Sequence, residues 1–134
     1  MTLLHKLMVA TGAFLLANAA AAQAPLAALS QIEPGQYSLT SPGTRSRSIC
    51  LGDPRVLLQL QHSGAACSRY VIANDKDSTV VHYTCPGLGH GRTEIKVETP
   101  RLLQIQSQGI SNNAPFDWAI EARRTGACVA NIQH

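Results

Sequence analysis

What is scarce in this 134-residue chain narrows its function before any motif is weighed. Aromatic residues make up 4% of it, with a single tryptophan, and charged residues 14%. The formal net charge of +3 is spread along the chain. It therefore lacks the clustered cations and interleaved aromatics of a nucleic-acid-binding surface. No apolar run reaches the roughly 20 residues that a membrane-spanning helix needs. There is no G-x-S-x-G elbow, and no Gly-rich loop followed by Lys-Ser/Thr, so the common signatures of serine hydrolases and P-loop nucleotide binders are missing. None of the four cysteines stands in C-x-x-C spacing, which is what a redox dithiol or a paired zinc ligand set would use.

What is present begins with an export signal. Lys6 supplies a positive n-region, Leu7 to Ala17 an apolar h-region, and Ala20 and Ala22 an A-x-A cleavage pattern. Cleavage after Ala22 predicts a mature chain starting at Gln23, with no transmembrane anchor left and no cysteine before Cys50 to carry a lipid. The alanine-rich signal resembles bacterial ones, so a periplasmic or secreted location is expected. Residues 23–34 read as a flexible lead-in, and 35–134 as one domain. All four cysteines fall in the exported part, and an even number there predicts disulfides.

The mature sequence is patterned for strands. A first strand near Gln36 to Thr40, a Ser-Pro-Gly turn and a second strand into Cys50 come first. Asp53 and Pro54 then suit the start of a helix, Val56, Leu57 and Leu60 share a face, and Gly64 suits its end. This is the one short α-helix expected. Around Asn74 to Asp77, residues 67–73 and 80–85 form a hairpin whose facing partners sum to 152 with its tip at Lys76. Val71 then meets Val81, Ile72 meets Val80 and Cys67 meets Cys85. A second hairpin turns at Thr99-Pro100, with Thr93, Ile95, Val97, Leu103 and Ile105 on its apolar face. "ISNNAP" reads as a loop before a last strand carrying Phe116, Trp118, Ile120 and Ala122. The expected fold is mainly β: an antiparallel sheet or meander of about seven strands, or a curved half-barrel of them, with one short helix and two disulfides.

Four cysteines allow three pairings; the hairpin arithmetic selects Cys67–Cys85 and leaves Cys50–Cys128. Other chemistries find less support. Asp75 and Asp77 open something like a calcium loop, but Val80 stands where that loop needs Gly and Pro86 where it needs Glu. His82 and Cys85 point to opposite faces of one strand, which argues against a shared zinc. His62, His82, His90 and His134 are scattered. No metal, no cofactor and no catalytic residue is therefore assigned. The remaining candidate is a groove lined by Tyr37, Tyr70, Phe116 and Trp118, with a small apolar ligand or an envelope protein as its partner. An alternative is an inhibitor of a secreted hydrolase, presenting loop 74–78 or 111–115. An enzyme would need His62, His82 or His90 gathered in a cleft with a carboxylate.

These landmarks also fall in a familiar order. Pro34-Gly35-Gln36-Tyr37 opens the first strand, Cys50 precedes the short helix, Cys67 and Cys85 bracket a hairpin, and "CPGLGHGR" and "RRTGAC" follow. Over roughly residues 32–128 the chain resembles the exported bacterial proteins of domain-of-unknown-function family 3617. It departs from them in having Tyr37 where members usually carry Trp, and a short basic "TSPGTRSRS" hairpin where theirs is longer. The resemblance implies an exported, mainly antiparallel β protein with paired cysteines, and brings no catalytic residues with it.

Overall fold

The structure is a computed structural model that describes residues 25–129. The expected export signal, the first two residues of the lead-in and the last five of the chain lie outside it. Among the described residues, seven strands form one antiparallel sheet: β1 (Gly35–Thr40), β2 (Arg47–Leu51), β3 (Ser68–Asn74), β4 (Ser78–Cys85), β5 (Gly89–Thr99), β6 (Leu102–Ser111) and β7 (Ala114–Gly126). Their order across the sheet is β2-β1-β7-β6-β5-β4-β3. Five consecutive strands thus make a meander. The N-terminal hairpin returns to seat β1 against β7, with Gln36 opposite Gly126. The sheet stays open, with β2 and β3 as its free edges.

Alternation decides which face is buried. Tyr37 and Leu39 on β1, Ile95 and Val97 on β5, Leu103 and Ile105 on β6, and Ile120 and Ala122 on β7 point into one core. Arg92, Lys96, Gln106, Asp117 and Arg123 stand exposed on the other face. The core is roofed by a 3-10 helix, Pro54–His62, which presses Leu57, Leu58 and Leu60 into it. The predicted start holds: the Asp53 side chain accepts from the Arg55 backbone N–H, and Pro54 sits in the first turn. The helix is nonetheless wound more tightly than an α-helix and breaks at Gln59 (φ −139°, ψ 45°). There the Gln59 amide turns to donate to the carbonyls of His62 and Ala65, replacing the helical ladder with a side-chain clamp.

Both disulfides close as the hairpin arithmetic requires, Cys67–Cys85 across the mouth of β3–β4 and Cys50–Cys128 between β2 and the segment after β7. The facing residues are Ser68–Thr84, Tyr70–His82 and Val71–Val81. The pairing of Ile72 with Val80 is corrected: Ala73 faces Val80, because a bulge inserts Ile72 as an extra residue on the edge strand. The loop expected at 111–115 is also corrected. β6 and β7 join through two residues, Asn112 and Asn113, whose positive φ values of 50° and 64° suit a tight hairpin turn.

The largest correction concerns the lead-in. Residues 25–34 are a packed part of the domain. Ala28, Leu29 and Ile32 are core residues, and a helical turn at Leu29–Gln31 places them there. The "NDKD" tip is what holds this segment. The Asn74 side chain accepts from Ala27 N–H and donates to Pro25 O, and the Gln31 amide donates to Lys76 O. Glu33 closes the other end, bonding Arg101 beside the β5–β6 turn at 2.7 Å. That hydrogen bond holds the Glu33 carboxyl below its ordinary value of 4.5.

Candidate ligand cleft

The helix covers only part of the sheet. It packs against β4, β5 and β6, and among the described residues it has no comparable contact with β7, β1 or β2. Over β7, β1 and β2 the helix gives no roof; Tyr37, Leu39, Leu51, Ile120 and Ala122 are still buried there, and the apolar face opens only at its margin. Trp118, one alternation step beyond the buried Ile120, and Ile49 on β2 pack against the edge of the core and remain partly exposed. A cleft of about 270 Å³ lies here. Leu39, Trp118 and Ile120 supply its apolar floor, and Arg45 and Arg47 border it. One wall is the turn after β1. Thr44 N–H and Thr44 Oγ1 both bond Ser41 O, and Ser41 Oγ donates to Ala119 O on β7 at 2.8 Å. Those bonds fix the wall to the strand that carries Trp118.

The four residues expected to line one groove are divided by the structure. Trp118 lies in the cleft. Phe116 neighbours it, with ring centroids 5.8 Å apart, and reaches back toward the His62 ring under the helix. Tyr37 is fully buried, its hydroxyl donating toward Glu33 O and Pro100 O, so it is a core anchor and cannot line a groove. Burial pushes its phenol above the usual 10. Tyr70 is on the opposite, open face, 62% exposed and packed on His82. Period-two spacing assigns a side chain to a face only once the register is known, and Tyr70 pairs with the outward His82.

A second apolar recess of about 430 Å³ separates the lead-in from β3, with Leu26, Leu29, Leu58 and Val71 around it and Arg69 beside them. It is continuous with the core and bounded by the clasp on Asn74.

Among the described residues, His62 lies on the core side of the sheet, away from His82 and His90. His62 is buried, with Nε2 3.3 Å from Leu88 O and Nδ1 3.0 Å from Tyr83 OH. A carbonyl can only accept, so Nε2 carries a proton, and Nδ1 shares a hydrogen bond with the tyrosine hydroxyl. Beside this pair, Thr93 Oγ1 donates to Leu58 O and lies 2.8 Å from Ser107 Oγ. No buried side-chain polar atom among the described residues lacks a partner. The cluster is a satisfied polar layer that ties the helix to the sheet. Gly91 is part of it, because the Tyr83 ring lies where a side chain at 91 would be. Gly89, at φ +136°, lets the chain pass against Ile110 O.

On the open face, Tyr70, His82 and His90 form a ladder of rings, the two imidazoles stacked at 5.7 Å. Asp117 borders the same shallow depression. The register nevertheless sets His82 three strands away from it, about 14 Å at ordinary strand spacing. Among the described residues no three His, Cys, Asp or Glu groups lie close enough to share a metal ion. The loops considered for inhibition, 74–78 and 111–115, both close as tight turns, the first by Asp75 N–H bonding Ser78 O.

The cleft residues that sequence reading missed are Arg45 and Arg47. Their signal was the basic, Ser-rich hairpin "TSPGTRSRS" itself. Compared with protein-family models, with curated proteins and with solved structures, the chain matches none.

Proposed function

We propose that this protein is an exported, non-catalytic binding module that holds a small ligand in the cleft beside Trp118. The observation that carries the reading is the unroofed end of the sheet. At Trp118 an apolar surface continuous with the core is left partly open beside β1 and β7, walled by a turn that two sets of hydrogen bonds hold in place. Exposing partly apolar floor has a free-energy cost, and a ligand that covers it recovers the burial. Two disulfides suit an oxidising compartment outside the cytoplasm, and no helix among the described residues is long and apolar enough to cross a membrane. The A-x-A pattern at Ala20 and Ala22 and the resemblance to domain-of-unknown-function family 3617 support export into the bacterial periplasm. The test is native mass spectrometry of protein expressed with its own N-terminus and purified without detergent. A mass starting at Gln23 with a retained small molecule is expected. A bare polypeptide mass, with nothing retained from an envelope extract, would count against the binding role.

A further inference from the structure

The charges at the cleft specify more than an apolar ligand. Among the described residues, Arg55 pairs with Asp53, Arg101 and Arg124 with Glu33, and Arg123 with Glu121. Arg45 and Arg47 have no carboxylate partner among those residues, and both border the floor formed by Leu39, Trp118 and Ile120. Arg47 is opposite Leu39 in the β1–β2 register, so it belongs to the core-facing side of the edge strand. Two unpaired guanidinium groups beside an apolar floor are matched by one ligand chemistry. An apolar tail covers the tryptophan while an anionic head occupies the planar forks of the arginines. Thr40 and Thr44 also line the cleft. The volume, about 270 Å³, stands at the lower limit of small-molecule pockets, which start near 300 Å³. A single medium-length chain fits such a space, and a sterol or a two-chain phospholipid does not.

We infer that the Trp118 cleft binds a free single-chain amphiphile with an anionic head, of the alkyl or aryl-alkyl carboxylate class, through Arg45 and Arg47. This rests on the binding reading above and names the ligand class for the same site. A cationic amphiphile is repelled by the two guanidinium groups, and a neutral alcohol offers them only an uncharged, single acceptor.

Trp118 is the only tryptophan in the chain, so its emission reports on the cleft alone. Titration with monomeric decanoate in mildly alkaline buffer is expected to give a saturable blue shift. Its affinity should exceed that of decanol by about tenfold or more, with decyltrimethylammonium weaker than either. In the R45Q/R47Q double variant, decanoate should fall to within about twofold of decanol, while decanol binding is retained and shows that the cleft is intact. An R92Q control on the opposite face should bind decanoate like the parent. Equal affinity for decanoate and decanol in the parent would overturn the anionic head and leave the binding role standing. No saturable response to any of the three would overturn both. A shift with anionic phosphatidylglycerol vesicles but not with monomeric decanoate would overturn the free ligand in favour of a membrane surface.

Discussion

The two halves of the sheet solve the same problem differently. Under the helix, β4, β5 and β6 bury an apolar layer and a polar one, and each buried polar atom in that layer has a partner. Beyond the helix, β7, β1 and β2 leave Trp118 half-covered and two arginines unpaired, and that edge is secured by the Cys50–Cys128 bridge. The roofed half carries its own bridge, Cys67–Cys85 at the β3–β4 edge, but its interior is closed by packing and no buried polar side chain among its described residues lacks a partner. The unroofed half is held covalently and leaves contacts unmade. A covalent clasp can secure an edge without filling the space beside it, which is what a binding surface requires.

The contrast can be tested most severely at the disulfides. In a chain-entropy treatment, the 78-residue separation of Cys50 and Cys128 corresponds to about 4.5 kcal/mol, and the 18-residue separation of Cys67 and Cys85 to about 3 kcal/mol. C50S/C128S is therefore expected to lower denaturant stability more than C67S/C85S. Its loss of amide-exchange protection should concentrate on β1 and β2 while β4–β6 stay protected. Uniform loss over all seven strands would show that the halves are not separable. Side-chain truncation comes next. Ile105→Ala, at a fully buried site of the roofed half, should cost about 2–5 kcal/mol in urea unfolding. Trp118→Ala should cost clearly less, because that ring is only partly covered, yet it should remove ligand binding. Equal destabilisation would make Trp118 an ordinary core residue.

The smallest effect is in acid. Because Arg101 holds the Glu33 carboxyl below 4.5 in the folded protein, its contribution is complete above that ordinary value and is lost as pH falls through the lowered one. Glu33→Gln should flatten the acid limb of a stability–pH curve and change nothing near neutrality apart from the lost ion pair. An unchanged acid limb would mean that Glu33 does not fasten the lead-in.

Much of this architecture was readable because period-two alternation and symmetric cysteines constrain each other. Cys67 and Cys85 fix the mouth of the β3–β4 hairpin, and Thr93, Ile95, Val97, Leu103 and Ile105 share the apolar face as their alternation requires. Local chemistry also located Asp53 as the start of the helix. Reading failed where a residue's role is set by something distant. Ala28, Leu29 and Ile32 recur at helical spacing, but nothing local says that Asn74 will hold the backbone of Pro25 and Ala27 just ahead of them. The bulge at Ile72 leaves no mark in composition. Asn112-Asn113, by contrast, was legible turn chemistry that went unread. Of the cleft, Trp118 was identified. The arginines were not, because their place beside it depends on β1 pairing with β7 across some 90 positions of chain.

That pairing governs when the protein can assemble. The N-terminal hairpin has no neighbour to join until strand β7 exists, so the sheet is completed only after residues near 126 are available. Contacts of such sequence separation slow folding, since the chain between them must first be brought together. For a polypeptide that crosses a membrane as an extended thread, as proposed above, the delay is an advantage. A nascent or partly translocated chain cannot complete its native sheet on the wrong side, and the Cys50–Cys128 bond can form in its native place only after the last strand has arrived.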